Sequence, residues 1–179
     1  NPSAIEAAYR SGHLFTGLLD IPVIDLRHYL DEQLDIHHSW ASVTTRKRVE
    51  KMMGEHGQQL IWTAMKPFFP MDEALDALDR WIKANKQNPS KSVAENRPKD
   101  LQDRCYEADG ELVYNGTDAW DGDWNQRPDG PCQSRYPMKS SSRLIAGDNW
   151  EAETLKCQLQ SIDQAIQSGM YGSIDMRPH

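Results

Sequence analysis

The predicted fold is decided by residues 20–49, DIPVIDLRHYLDEQLDIHHSWASVTTRKRV. This stretch opens with the apolar run IPVI at residues 21–24, whose length and β-branched content predict a buried strand. Residues with catalytic or binding chemistry then crowd into fourteen positions: Asp25, Arg27, His28, Asp31, Glu32, Asp35, His37 and His38. In open α/β sheets, functional groups lie where strands end at their carboxyl edge. The loop after this strand is therefore the predicted functional site.

The flanking residues extend the strand into an α/β pattern. Ser3 and Glu6 have the spacing of a capping box, which predicts a short helix over residues 4–10 that packs onto the strand. Residues 40–54 predict a helix, residues 59–63 a second strand, and residues 71–82 an apolar stripe at helical spacing. Strand, loop, helix and strand in this order are typical of a parallel sheet with a crossover helix. Residues 1–85 are thus predicted to form an α/β domain.

The composition changes near residue 86. Asn, Pro, Asp, Gly and Ser are frequent from there to about residue 147, and apolar runs are brief. Such a segment cannot form a core of its own, so residues 86–179 are predicted to be an irregular, cysteine-containing wrap over the first domain. Within it we expect one helix near residues 149–159.

All three cysteines lie in this second segment, and none has the spacing of a zinc site. A bridge across the 27 positions between Cys105 and Cys132 would contribute roughly 3–4 kcal/mol by loop entropy. We therefore expect a Cys105–Cys132 disulfide, an oxidising compartment, and a secreted or periplasmic protein. Cys157 either pairs with a cysteine outside this chain or is a buried free thiol.

Charge and hydropathy exclude two classes of partner. The chain has 179 residues, with 20 Lys and Arg against 27 Asp and Glu, a net charge of -7 and a pI near 5.3. The chain therefore lacks the net positive charge that favours binding to nucleic acid. No apolar stretch approaches the roughly 18–20 residues of a membrane span. The first and last residues, Asn1 and His179, lead us to expect a processed or truncated piece of a longer polypeptide.

Four stretches together resemble a known family, and they run in order over nearly the whole chain. They are AAYR at 7–10; IPVID at 21–25 with Arg27 and Tyr29; DIH at 35–37 with Thr45, Arg46 and Arg48; and Cys132, YP at 136–137, RLIAG at 143–147 and LKC at 155–157. The chain resembles the C-terminal part of bacterial exported proteins that form a domain family of unknown function. That family is similar to α/β-hydrolases of the tannase and feruloyl-esterase type.

The resemblance implies the C-terminal portion of an α/β-hydrolase-like parallel sheet with flanking helices, followed by the disulfide-pinned wrap. It also implies a nucleophilic serine on a G-x-S-x-G elbow, which this chain lacks, and a further cysteine that would pair with Cys157. The expected partner is therefore the remaining N-terminal hydrolase segment, in the same polypeptide or in a co-purifying chain. No cofactor or metal is expected.

Three residues of the loop are candidates for acid and base. Asp31 fits the general spacing of the acid in an α/β-hydrolase, and Asp35 fits the Asp-Ile-His motif of the family. His37 is the candidate base, because residues 64–178 contain no histidine. The structural alternatives are that either Asp caps the helix that follows, and that His37 is a hydrogen-bonded structural imidazole. His38, His28, His56 and His13 are expected at the surface.

Arg46 and Arg48 are candidates for binding a substrate carboxylate, because the guanidinium fork binds such groups with two hydrogen bonds. The alternative is a salt bridge to Asp31, Glu32 or Asp35. A separate run, Asp118, Trp120, Asp121, Asp123 and Trp124, suggests a calcium loop or a sugar-stacking patch, against a solvated turn.

The sequence thus predicts part of an exported serine hydrolase that cleaves a small-molecule carboxylic ester through an acyl-enzyme. One alternative is a non-catalytic structural subunit of a larger extracellular or periplasmic assembly. The other is a carbohydrate- or calcium-binding module centred on residues 118–124.

Overall fold

A mixed four-stranded sheet with flanking helices organises the protein, as seen in a computed structural model that describes residues 1–12, 14–153, 161–169 and 172. The strands are β1 (Val23–His28), β2 (Gln59–Ala64), β3 (Arg104–Tyr106) and β4 (Leu112–Asn115), and they are adjacent in that order. The first three are mutually parallel, whereas β4 runs antiparallel to β3. This arrangement is compatible with the predicted α/β fold.

The first strand begins two residues later than predicted and extends through His28. Pro22 has no N–H group for the ladder, and Ile21 is exposed, so pairing begins at Val23. Asp25, Arg27 and His28 consequently lie within the strand instead of in the loop after it. The predicted second strand and crossover helix are present as β2 and α2 (Trp40–Met53), with Gly54 ending α2 in a left-handed conformation.

One helix precedes these elements in the chain, and another follows them. Helix α3 (Met71–Gln87) follows Pro70 and carries Asp72 and Glu73 in its first turn, where the helix dipole favours acidic residues. Helix α1 (Pro2–Arg10) is capped by Asn1, not by the predicted Ser3 box, and none of its residues is buried. The expected packing of α1 onto β1 is therefore wrong.

Two apolar clusters lie on opposite faces of the sheet, because successive strand residues point to opposite sides. On one face, Leu60 and Trp62 of β2 pack with Trp81 of α3. On the other face, Ile61 packs in a cluster that includes Val43 of α2. The second cluster also contains the following side chains from the loops and the second half of the chain: Tyr29, Cys105, Ala119, Trp120, Trp124, Cys132 and Tyr136.

The second half of the chain contains two strands that the sequence analysis did not predict, β3 and β4. The predicted disulfide between Cys105 in β3 and Cys132 is present, and both residues are fully buried. The remaining elements are short: 3-10 turns at Asp31–Gln33 and Asp123–Asn125, α4 (Pro131–Arg135), α5 (Ser142–Ile145) and α6 (Ile162–Gln167). The sheet therefore includes strands from both sides of residue 85.

Part of the predicted helix near residues 149–159 can be compared with the structure. Trp150 and Glu151 lie in a turn, and Ala152 has a positive φ of 49°. Residues 154–159, with Cys157, lie outside the described residues, as does His13. Among the helices that are described, none has both the length and the apolar character needed to cross a bilayer.

Candidate functional site

The loop from residue 29 to residue 39 follows the carboxyl end of β1 and is anchored by Asp31. Asp31 is completely buried. Its Oδ1 accepts hydrogen bonds from the Ser39 N–H at 2.8 Å and the Ser39 hydroxyl at 2.7 Å, and its Oδ2 accepts one from the Lys139 N–H at 3.0 Å. Asp31 thus joins Ser39, the residue that precedes α2, to the distant loop at Lys139.

Asp35 and His37, in contrast, meet at the surface of the loop. Asp35 Oδ1 accepts a hydrogen bond from the His37 backbone N–H at 2.8 Å and lies 2.7 Å from His37 Nδ1. The backbone and side-chain hydrogen bonds of His37 hold the pKa of Asp35 below its ordinary value, and the charge of Lys66 acts in the same direction. An ionised carboxylate beside Nδ1 keeps a proton on that nitrogen, so His37 Nε2 is left as the basic atom.

Arg27, to which the sequence assigned no role, holds the backbone of this loop. Its guanidinium donates to the carbonyl oxygens of His37 at 3.2 Å and His38 at 3.1 Å, and to the Ser42 hydroxyl at 2.6 Å. The sequence placed Arg27 in the loop after the predicted strand, and only the structure shows that its side chain faces Ser42 of α2. Arg27 therefore fixes where the Asp35–His37 pair sits relative to the end of β1.

His37 and His38 have different environments. Trp40 Nε1 donates a hydrogen bond to His38 Nε2 at 3.0 Å, and the two rings stack with centroids 5.2 Å apart. His38 is half-buried, so the expectation of an exposed side chain is wrong. His37 keeps 71% of its side chain exposed and is the histidine of this pair that can reach a ligand.

Exposed aliphatic side chains flank the Asp35–His37 pair. Leu34 is 82% exposed and Ile36 is 84% exposed. Leu34 has a φ of 52°, a conformation that L-residues with large side chains rarely adopt. Its N–H donates to the Asp31 carbonyl oxygen, so the anchored turn at Asp31 keeps the loop in this shape. Leu34 and Ile36 thus alternate with Asp35 and His37 along the loop, and both apolar side chains face solvent.

The two predicted carboxylate-binding arginines have internal partners. Arg46 is 1% exposed and donates to both carboxylate oxygens of Asp103, at 2.7 and 2.9 Å, and to the Gln59 carbonyl oxygen at 3.2 Å. The predicted salt bridge from Arg46 to Asp31, Glu32 or Asp35 is therefore wrong. Arg48 donates to the backbone carbonyl oxygens of Phe15, Glu151 and Ala152. Both guanidinium groups thus form internal hydrogen bonds, and none of these bonds involves Asp35 or His37.

The two tryptophans of the run at residues 118–124 lie in the core, whereas Asp118 and Asp123 are exposed. Trp120 is 2% exposed and Trp124 is 5% exposed, so their rings cannot stack on a sugar from solvent. Asp118 accepts a hydrogen bond from the Tyr114 hydroxyl, and Asp121 accepts one from the Asn125 amide. The described residues contain no group of three or more His, Cys, Asp or Glu side chains that could hold a metal ion.

Comparison with known proteins gives one family. The model of a tannase-like family of unknown function matches residues 1–175, which is nearly the entire chain. No curated protein and no solved structure matches the chain.

Proposed function

Because the chain belongs to the tannase-like family of unknown function, we propose that it forms part of a serine hydrolase that cleaves carboxylic esters. The observation that carries this proposal is the Asp35–His37 pair, with a carboxylate oxygen 2.7 Å from Nδ1 and an exposed ring beyond the carboxyl end of a parallel strand. Ester hydrolysis needs such an oriented imidazole as general base and acid.

In the proposed reaction, His37 Nε2 removes the proton of a serine hydroxyl while the serine oxygen attacks the ester carbonyl. The imidazolium then returns this proton to the leaving alcohol as the acyl–oxygen bond breaks. A water molecule then gives a proton to His37 Nε2 as its oxygen attacks the acyl-enzyme. The imidazolium returns this proton to the serine oxygen as the carboxylic acid is released. Asp35 orients His37 and stabilises the imidazolium, whereas Asp31, whose described hydrogen bonds go to Ser39 and Lys139, keeps the loop in place.

The serine is proposed to come from a segment outside this chain, because the sequence contains no G-x-S-x-G elbow. The backbone groups at the outer edge of β1 support the proposal that this segment pairs there. The N–H groups of Val23 and Tyr29 donate hydrogen bonds to the carbonyl oxygens of Gln58 and Ala64. Every second residue along β1 therefore directs its backbone N–H and carbonyl groups towards β2. The groups of the alternate residues face away from the neighbour, where a further strand can pair with them.

The substrate is proposed to carry an apolar acyl or aryl group beside its ester. Leu34 and Ile36 support this assignment, because both are more than four-fifths exposed on either side of Asp35. The buried Cys105–Cys132 disulfide supports a secreted or periplasmic location for the enzyme.

The test is turnover of short aryl esters by the full polypeptide as its source produces it, with and without His37→Ala and Asp35→Asn. Removing the base should lower kcat by about 10²–10⁴. Glu32→Gln is the matched control for Asp35→Asn, because it removes one exposed carboxylate from the same loop. Unchanged kcat in His37→Ala would exclude His37 from the mechanism.

A non-catalytic structural subunit is the second candidate, and it is favoured by the outer edge of β1, with which no strand of the described residues pairs. In that case the strand that pairs with β1 would belong to an assembly partner without a nucleophile. A serine-reactive fluorophosphonate probe separates the two functions. Labelling of the same polypeptide or of a co-purifying chain supports the hydrolase, and absence of labelled protein supports the structural role.

A further inference from the structure

An apolar stripe runs along one exposed flank of α3. Three of its side chains are 46%, 56% and 36% exposed, namely Met71, Leu75 and Ile82. Leu78 continues the stripe and is half-buried. The spacing of four, three and four residues is that of the contact positions of a helix that packs along another helix. The α3 stripe is therefore a helix-packing surface that the described residues leave exposed.

The α3 stripe lies on the side of the helix that faces away from β3. Trp81 belongs to the buried face of α3 and packs with Trp62 of β2. Glu73 lies about 70° to one side of this buried face, whereas the stripe lies about 100° to the other side. Glu73 forms an ion pair with Arg104 of β3. Since β1 and β3 lie on opposite sides of β2, the stripe points outward beyond β1.

The outer edge of β1 continues this surface. Ile24 and Leu26 are half-buried, and their side chains pack against the apolar cluster beneath α3. Their backbone N–H and carbonyl groups point away from β2, since the alternate residues of β1 bond to it. A polypeptide that pairs with β1 would therefore come next to the exposed flank of α3.

A helix that packs against the α3 stripe would lie where the described sheet has no strand. Packed helices lie about 8–10 Å apart, which is roughly twice the 4.7–4.9 Å spacing of neighbouring strands. Because α3 packs over β1 and β2, the new helix would lie beyond β1. It could bury its inner face only if an added strand lay beneath it. One strand and one helix of the same segment would thus cover both surfaces.

We propose that the segment that supplies the serine also covers the α3 stripe with an amphipathic α-helix. This inference rests on the proposed function, in which that segment pairs with the edge of β1. The helix would carry apolar residues at the same spacing of three and four positions. A second copy of this chain could fill the same edge, but it would bring no nucleophile, so the hydrolase assignment favours the segment.

The experiment uses the full polypeptide as its source produces it. Hydrogen peroxide oxidises the methionines, and peptide mass spectrometry gives the rate at each position. Met71 in the stripe and Met52 on α2 are similarly exposed, at 46% and 51%. Because a covered thioether reacts slowly, the helix should make Met71 oxidise at least about tenfold more slowly than Met52.

Leu75→Lys should bring the oxidation rate of Met71 back to that of Met52, because burying the introduced charge against the helix is unfavourable. Leu112→Lys is the matched control. Leu112 is 47% exposed and lies on β4, at the opposite edge of the sheet, so Met71 should stay protected in this variant.

Equal oxidation rates of Met71 and Met52 in the wild type would overturn the proposal, whether or not the Leu75 variant folds. Native mass spectrometry would also overturn it by showing a homodimer whose dilution exposes Met71, because a second copy would then cover the stripe. The fluorophosphonate probe reports on the hydrolase separately. Labelled protein with a reactive Met71 keeps the proposed function and removes the helix, whereas unlabelled protein with a protected Met71 supports the helix and counts against the hydrolase.

Discussion

Replacing Arg46 tests whether the buried ion pair with Asp103 holds the two halves of the chain together. The two residues are 57 positions apart, and their side chains are 1% and 5% exposed. In Arg46→Met, the aliphatic volume is largely kept, but the Asp103 carboxylate remains buried without its two strongest hydrogen bonds. Removing one partner of a buried pair costs about 3–5 kcal/mol. A domain of this size has a total stability of roughly 5–15 kcal/mol, so this loss is a large fraction of it.

The double variant Arg46→Met/Asp103→Asn separates the charge from the packing. The introduced asparagine keeps a side-chain oxygen that can accept the Ile61 N–H, and no unpaired charge remains in the core. The double variant should therefore lose less than the sum of the two single variants. This non-additivity is the sign of a coupled pair.

The assay is urea unfolding followed by tryptophan fluorescence, since the Trp124 ring centroid lies 5.9 Å from the Arg46 guanidinium carbon. Arg80→Met is the matched control: Arg80 also binds both carboxylate oxygens of one aspartate, Asp100, but that pair is about half exposed. Exposed pairs contribute about 0.2–1 kcal/mol. A loss in Arg46→Met no larger than that in Arg80→Met would refute the reasoning.

Three further predictions concern the disulfide and two titrating groups. Cys132→Ser should lower the free energy of unfolding by roughly 3–4 kcal/mol, because it opens the loop that spans 27 positions from Cys105; urea unfolding with and without reductant measures this. Lowering the pH from about 7.5 to about 5 should destabilise the protein through His56. Burial, with the charge of Arg46, holds the pKa of His56 below 6.5, so the unfolded chain takes up this proton first, and His56→Gln should reduce the dependence. His37→Ala should raise the pKa of Asp35 towards 3.8, because the ring hydrogen bond is lost, and an unchanged midpoint in a ¹³C titration of the carboxyl group would contradict that contact.

The Asp35–His37 pair could be predicted from the sequence because it is local. Two positions separate the residues, and the hydrogen bond from the His37 N–H to the Asp35 side chain is a turn interaction of neighbouring residues. The roles of Asp31 and Arg46 could not be predicted from the sequence, because their contacts are not local. Asp31 binds a backbone group 108 positions away, and nothing in the local sequence specifies that contact.

The sequence by itself determined α2, β2 and α3 because their signals are short-range. Gly54 ends one helix, Pro70 precedes the next, and apolar residues recur at helical or strand spacing between these points. Only the tertiary structure decided that β3 and β4 join the sheet. Each of these strands has three or four residues, too few for a periodic pattern. Their stability comes from the pairing of β3 with β2 and of β4 with β3, and from the buried disulfide. The partner of each buried charge was likewise set by the packing, because a desolvated ion needs a counter-ion wherever the fold brings one close.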